Sequence, residues 1–425
     1  MSKNNENKLV PNLRFPEFKN NGEWKENSLN EVSPAIFDGT HQTPTYTENG
    51  IPFFSVENII SGNKNKFISQ EDYLLATSKN KPEKGDIIIT RIGNIGTSKV
   101  IDWDYEFSVY VTLAIVKKSP LFDSHYLHGY FQSSRYQKEI LSKSLLNAVP
   151  CKINMDELRK TKILLPPDKE KKEQLKIAAC LSSLDEIITA ESQKLDLLNK
   201  HKRGLLQNLL PVGKETIPKF RFKEFEKSDE WVEDTLINLA NFRRGSFPQP
   251  YGLPEWYDDE NGMPFIQVFD VGEDFRLKPA TKRKISELAA QQSVFIPRGT
   301  LIITIQGSIG RVAITQYDAY IDRTLLLFEE FHQEIDINFF AYTLFLLFEI
   351  EKQKAPGGII KTITKEVLSG FVVKLPSIEE QRKIAGCLSC LDELISAQNK
   401  NIEALQQHKK GLLQGMFPNI NEVTE

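Results

Sequence analysis

The sequence predicts a mixed α/β (α+β) protein in which two pseudo-two-fold-related globular domains are separated by an antiparallel pair of long coiled-coil helices. Three observations predict it. The chain is written twice, at an offset of 207 residues. Its most alike segments carry apolar residues in alternating steps of four and three, the spacing of a helix seam. Between them, short β-rich runs bounded by Gly precede stretches of helical pattern.

The repeat is clearest between 174–211 and 381–418, where twenty of the 38 aligned pairs are identical without a gap. "HKRGLLQNLLP" at 201–211 thus returns as "HKKGLLQGMFP" at 408–418. The openings of the halves match at the same offset, "PNLRFPEFKNNGEW" at 11–24 against "PKFRFKEFEKSDEW" at 218–231. In between the offset drifts while the order survives: "IPFFSVENI" at 51 answers "MPFIQVFDV" at 263, and "KGDIIITRIGNIG" at 84–96 answers "RGTLIITIQGSIG" at 298–310. Each half is therefore a variable globular unit followed by a constant segment.

The elements follow in order. Residues 1–165 form the first globular domain, with "GDIIIT" as a strand and the stretch after Asp123 as a helix. "LPPDKEKKEQ" marks the passage into the first constant segment, 166–211, since Pro disfavours helix before it and acidic residues favour a helix start. "PVGKETIP" at 211–218 is a linker. The second domain, 212–375, repeats the pattern with "GTLIIT" and a helix after Asp336, and "LPSIEEQ" opens the second constant segment, 376–417. "GNIG" and "GSIG" read as tight turns after strands.

Within the first constant segment the stripe runs Ile177, Leu181, Leu184, Ile188, Glu191, Leu195, Leu198, Lys202, Leu205 and Leu209. In the second it runs Ile384, Leu388, Leu391, Ile395, Gln398, Ile402, Leu405, Lys409, Leu412 and Met416, with polar breaks at the same two places. Such a stripe on a lone helix would face water, so each helix needs a partner, and its duplicate is the obvious one. A two-fold relation makes the pair antiparallel. One register would let Glu191 face Lys409 and Lys202 face Gln398, although shifts by one heptad also match apolar positions. Gly204 and Gly411 interrupt this pattern at about 1 kcal/mol each relative to Ala. Either a helix end or the close approach of another chain would offset that cost.

At 425 residues, with 40% hydrophobic and 26% charged residues, the composition is that of a globular protein of two or three domains. A net charge of −3 points to no polyanion partner in bulk, so a nucleic-acid surface would have to come from local clustering. The N-terminus is polar and the longest apolar run, "FFAYTLFLLFEI" at 339–350, is too short to span a bilayer, so a cytoplasmic location is expected. Cys387 and Cys390 form a CxxC. The first copy instead has Cys180 and Ser183, with no second ligand pair, so no metal site is expected. Neither a P-loop, a glycine-rich cofactor loop nor HExxH occurs, so no catalytic residue is assigned.

Binding is better supported than catalysis, because matched loops combine cations, amides and hydroxyls, the groups that meet phosphates and base edges. "FDGTHQTPTY" offers Thr40, His41, Gln42 and Thr43, and its counterpart "FRRGSFPQPYG" offers Arg243, Arg244, Ser246 and Gln249. After the apolar strands come Arg91, Asn94 and Lys99 in one half and Gln306, Ser308 and Arg311 in the other. Further on, Lys143, Ser144 and Lys152 stand where the second half has Lys354 and Lys361. The same loops hold different side chains, as two readers of different targets on one scaffold would.

The half-repeat, the opening "LRFPEF…W", the entry "LP…EEQRKIAGCLSCLDELI" and the ending "HKKGLLQ…F" make the chain resemble the DNA-specificity subunit of type I restriction–modification enzymes over roughly residues 10–418. The resemblance implies a non-catalytic subunit with two target-recognition domains at opposite ends of an antiparallel helix pair, each reading one part of a split double-stranded DNA target. It also implies two modification subunits, which methylate adenine, and two ATP-dependent restriction subunits as partners. S-adenosylmethionine, ATP and Mg would then sit on those partners and no cofactor on this chain, and Gly204 and Gly411 become candidates for partner docking. The competing reading is the recognition portion of a fused restriction–methylation enzyme. "PPDKEKKEQ" exceeds "PSIEEQ" by three residues, which leaves the gap between the half-sites open.

Overall fold

The computed structural model describes residues 9–211, 213, 215–354, 363 and 365–418. Two compact units result: one holds the chain up to Glu191 and from Asn401 onward, and the other is Ser192–Lys400.

In the first unit the elements run β1 (Lys25–Ser28), α1 (Leu29–Val32), β2 (Ile36–Asp38), β3 (Tyr46–Thr47), β4 (Ile51–Phe54), α2 (Val56–Ser61), β5 (Phe67–Ile68) and α3 (Gln70–Ala76). They continue as β6 (Ile87–Thr90), β7 (Ser98–Val100), β8 (Ser108–Val109), β9 (Leu113–Val116), α4 (Ser124–Gln132), α5 (Ser134–Ser142), α6 (Met155–Arg159) and β10 (Lys162–Leu165). Two four-stranded sheets form, in the orders β2-β9-β6-β7 and β3-β5-β4-β8, and β1 pairs with β10. Both central strands of the first sheet, "IIIT" and "LAIV", are buried along their whole length. Their unbroken apolar character suits a strand covered on both faces.

The long helix α7 (Lys172–Leu209) follows. The second unit then repeats the design with β11 (Val232–Thr235), α8 (Leu236–Leu239), β12 (Ala240–Arg244), β13 (Met263–Ile266), β14 (Arg283–Ile285), α9 (Glu287–Ala290), β15 (Val294–Ile296) and β16 (Leu301–Thr304). After these come β17 (Val312–Ile314), β18 (Ala319–Ile321), β19 (Leu325–Phe331), α10 (Ile337–Lys354), α11 (Lys365–Ser369), β20 (Val372–Leu375) and the second long helix α12 (Ile378–Met416). Its sheets, β12-β19-β16-β17 and β14-β13-β18-β15, and its ladder β11-β20 answer those of the first unit one for one.

The stretch after Asp123 departs from the single helix expected there. Ser133 closes α4 and opens α5 with extended dihedrals, and its Oγ accepts a bond from Tyr136 N–H. A Ser that can satisfy a helix-start N–H makes such a break inexpensive.

Each unit takes the start of one long helix and the end of the other. In the first, Ile177, Ala178 and Leu181 of α7 join Met416 and Phe417 in one core with Trp24, Tyr126 and Tyr130. Phe417 lies within 6.1 Å of all three aromatic rings. Gly129 lets α4 come close, since a Cβ there would sit 2.7 Å from Leu181 Cδ1. In the second, Ile384, Ala385 and Leu388 of α12 join Leu206, Leu209 and Leu210 with Trp231 and Phe339.

Polar contacts obey the same 207-residue rule. Buried Glu173 accepts both Nε and Nη2 of Arg14 at 2.8 Å, and buried Glu380 does so for Arg221 at 2.9 and 2.7 Å. The backbone bond from Leu13 N–H to Gly415 C=O recurs from Phe220 N–H to Asn208 C=O. The three extra residues before α7 lie outside the helix: Asp168 accepts the N–H groups of Glu170 and Glu173, and Lys171 turns with φ 57°. The two long helices consequently contain 38 and 39 residues.

The expected pairings of the seam lysines need correction. Lys409 Nζ lies 2.6 Å from Asp185 Oδ1, and Lys202 pairs with Asp392. These acids stand six residues from Glu191 and Gln398 along their helices, about 9 Å and close to one heptad. A lysine enclosed on an apolar seam needs an acid within reach. Asp185 and Asp392 supply it, each one position past a seam leucine. Both long helices end just before Pro211 and Pro418, at Leu209 and Met416, so Gly204 and Gly411 each lie five residues inside a helix end. A Cβ on either would meet no described atom within 4 Å.

Candidate nucleic-acid interface

In the first domain five backbone bonds stitch five chain segments together. Gly39 N–H reaches Leu113 C=O, Thr40 N–H reaches Val109 C=O, Tyr110 N–H reaches Phe54 C=O, Arg91 N–H reaches Thr112 C=O, and Ile153 N–H reaches Arg91 C=O. The second domain repeats every bond: Gly245 to Leu325, Ser246 to Ile321, Asp322 to Ile266, Ile305 to Thr324, and Ile363 to Ile305. Gly39 and Gly245 are required, because a Cβ would stand 1.9 Å from Val109 O and 2.3 Å from Ile321 O. The turns after β6 and β16 match as well: Gly93, Gly96, Gly307 and Gly310 all have φ between 71° and 90°, a region only Gly enters freely.

These bonds align the two domains position by position where sequence comparison drifts. Asp38 corresponds to Arg244, Thr40 to Ser246, Ser55 to Gln267, Tyr110 to Asp322, Val111 to Arg323, and Arg91 to Ile305. The frame is common to both domains and the side chains on it differ, so the loop cluster is the variable surface of each domain.

Of the residues singled out from sequence in the first domain, His41, Gln42, Thr43, Asn94 and Lys152 are exposed, and Thr40 is partly so. His41 Nε2 lies 3.1 Å from Asp38 Oδ2. Paired backbones hold Lys152 to Leu145 and to Ile92, which brings the Lys143–Ser144 corner to the same cluster. Lys143 lies 3.9 Å from Glu139 and from Glu157, and Ser144 Oγ donates to Ile140 C=O.

Arg91 is corrected from a surface cation to a buried one. Its guanidinium donates to Asp38 Oδ2, Val111 C=O and Ile153 C=O and ties three of the loops together. Lys99 stands apart on β7, with Nζ 5.6 Å from the Trp103 ring.

In the second domain Arg244, Gln249 and Ser308 are exposed, and Ser246 and Gln306 partly so. Ser246 Oγ donates to Gln292 C=O. Arg243 pairs with Glu329 and Arg311 with Glu273, and Arg311 lines a cleft of about 520 Å³ beside Lys202 and Arg203 rather than the loop cluster. Lys361 and the Lys354 side chain fall outside the described residues.

Sequence reasoning passed over Tyr251, Gln267, Asp322 and Arg323, which the stitching brings to this cluster. Asp322 is buried, and its Oδ2 accepts from Tyr251 O–H at 3.0 Å. Exposed Arg323 lies 5.4 Å from the Tyr251 ring. The signal that could have found them was faint: "YIDRT" at 320–324 follows an apolar strand as "VYVT" at 109–112 does, at an offset of 212 rather than 207.

Among the described residues no three His, Cys, Asp or Glu side chains are grouped to hold a metal, and no helix is long and apolar enough to cross a membrane. Fold and site thus define a recognition protein with two alike domains, each presenting variable loops on an invariant frame.

Comparison places it within a family. The model for the type I restriction modification DNA specificity domain matches twice, at 21–200 and 229–407, and the chain belongs to that family. Its specificity subunits are non-catalytic parts of type I complexes that contain other restriction–modification subunits and act on DNA. Similar proteins include the MjaVIII type I restriction enzyme specificity subunit of Methanocaldococcus jannaschii, 23% identical over 85% of this chain and 84% of that one. The candidate MjaX specificity subunit of the same organism is 25% identical over 92% of both. Among solved structures, the S subunit of a type I system from M. genitalium superposes with a TM-score of 0.62 at 17% identity, over 97% of this chain and 100% of that one. A chain from a structure of type I complex assembly gives 0.57 at 17% identity, over 93% and 98%.

Proposed function

We propose that this specificity subunit reads a split DNA site, one part per domain, with 1–165 and 212–375 as readers and 166–211 and 376–417 as the spacer between them. The observation that carries the reading is the pair of loop clusters built on the same backbone bonds but furnished with different side chains. A common frame keeps the approach to the duplex constant, while exchanged side chains change the bases preferred.

Exposed Gln42, Asn94, Arg244, Gln249 and Ser308 are the direct readers in this proposal, and Lys143, Lys152 and Lys99 hold phosphates. Arg91 acts from beneath by fixing the loops of the first cluster.

Two modification subunits and two restriction subunits complete the assembly in this reading. The long helices offer them two equivalent surfaces around Gly204 and Gly411, where space lies open for an approaching chain. S-adenosylmethionine, ATP and Mg would act on those partners.

The test is to express the chain with its modification subunits and map methylated adenines across a genome. A single split sequence is expected. Grafting the second domain's loops from another family member should change one part of that sequence only. Methylation of a contiguous site, or of adenines without sequence preference, would overturn the proposal.

A further inference from the structure

In the second loop cluster one side chain has its hydrogen-bonding pattern settled by its neighbours. Asp322 is 2% exposed, and every contact to its carboxylate is a donation to it: Oδ1 accepts the Thr324 N–H and O–H, at 2.9 and 2.6 Å, and Oδ2 accepts the Tyr251 O–H. Burial, followed by the charge of Asp322, raises the Tyr251 phenol above its ordinary pKa, so it keeps its proton and remains the donor. Having given its only hydrogen to Asp322, the Tyr251 oxygen can only accept from a further partner. The Gln267 side chain is such a partner, its Nε2 donating to that oxygen, and the Tyr257 hydroxyl is also in hydrogen-bond contact with it.

A glutamine amide would ordinarily turn over with little penalty, exchanging donor for acceptor. Here the turned form would aim Oε1 at an oxygen with no hydrogen left to give. The relay Asp322–Tyr251–Gln267 therefore fixes Gln267 in one orientation. It leaves one N–H of a partly exposed side chain without a bond among the described residues, and an Oε1 that faces the Asp270 N–H in a capping box and keeps a second lone pair for a further donor. A neighbouring donor and acceptor in one plane match the N7 acceptor and N6 donor on the major-groove edge of adenine. Exposed Arg323 beside the Tyr251 ring has no ion-pair partner among the described residues and supplies positive charge next to this amide.

The corresponding position of the first domain is Ser55, whose Oγ turns back onto Asn58 Oδ1 at 3.0 Å, and Tyr110 replaces Asp322. The first domain has no such relay. We propose that Gln267 reads an adenine in the half-site of the second domain, with Tyr251 and Asp322 as positioning residues that hold its amide in the reading orientation.

This assignment rests on the reading of the second domain as a DNA reader, and the experiment separates the two. The full chain with its modification subunits competes for duplexes in which each base pair of the mapped site is varied in turn. Gln267→Ala should lose roughly 5- to 150-fold of adenine preference at one position of one half-site, with the other half-site unchanged as the control for folding. Gln267→Glu keeps the shape but carries acceptors only, and should move preference at that position toward cytosine. Tyr251→Phe frees the amide to turn and should weaken discrimination at the same position alone.

If Gln267→Ala weakens all duplexes equally, or changes no position, the assignment fails while the domain reading stands. If the wild-type chain shows no preference at any position of that half-site, the domain reading itself fails and takes the assignment with it.

Discussion

Arg91 shows how one residue can matter to recognition without touching the target. Its guanidinium holds Asp38, Val111 and Ile153, so Arg91→Met would leave a carboxylate and two carbonyls without their donor. A loss of about 2–4 kcal/mol is expected in denaturant unfolding, together with blurred preference in the first half-site. His41→Ala, at an exposed position, should cost almost nothing in stability. The burial of Arg91 was in fact legible: its partner in the repeat is Ile305, and an apolar residue at an equivalent position marks an enclosed place. Gln267 was not legible, because its role depends on a tyrosine 16 residues before it and an aspartate 55 residues after it.

His128 makes the first unit sensitive to acid. It is held between Ser98 Oγ and Gln132 Nε2, both at 2.8 Å, and burial, with Lys409 nearby, pushes its pKa down to about 4. In the unfolded chain the same imidazole titrates near 6.5. Between those values the unfolded state takes up a proton that the folded state refuses. The stability contribution is therefore whole above about pH 6.5 and is lost progressively toward pH 4, by about 3 kcal/mol in all. His128→Gln should flatten this dependence in unfolding curves measured at pH 7 and pH 4.5.

Along the long helices, the seam lysines and the glycines beside them do different work. Lys202 and Asp392 are more enclosed than Lys409 and Asp185, and Tyr342 O–H also donates to Asp392 at 2.6 Å. Double-mutant cycles should accordingly give a coupling of about 1–3 kcal/mol for the first pair and less for the second.

Gly204→Ala and Gly411→Ala fill open space on helices and should each raise the melting stability of the isolated chain by about 0.5–1 kcal/mol. Leucine at the same positions should weaken capture of the modification subunits. Capture unchanged in both leucine variants would remove the glycines from the docking surface. The heptad stripe announced both long helices, because 3.5-residue spacing sustained over ten positions is the period of a helix seam and of no strand or loop. Which heptads face each other was not announced, since a shift of seven leaves the apolar match intact and only the acids beside the stripe decide.

Across the whole molecule, the repeat explains why the same contacts occur twice and why each unit is completed by the far end of the other half's helix. Phe417 fills the ring cluster of Trp24, Tyr126 and Tyr130, so removing residues 409–418 should damage the distant first domain and spare the second. Recognition of the first half-site should fade and protease sensitivity should appear around Trp24, while the second domain stays protected. That exchange of helix ends follows from an antiparallel pairing of two copies, and so was implied by the sequence once the duplication was seen. The lateral order of the strands was not implied, because short apolar runs carry no mark of which neighbour they will bond.

The same closure orders events in time. A ribosome releases Ser192–Lys400 as one continuous stretch, and the second unit has every residue it needs before synthesis ends. The first unit, although made earlier, waits with the Trp24 cluster open until Met416 and Phe417 emerge. The domain translated first is thus the last to be finished, and a released chain ending near residue 400 would carry one folded reader and one still unsealed.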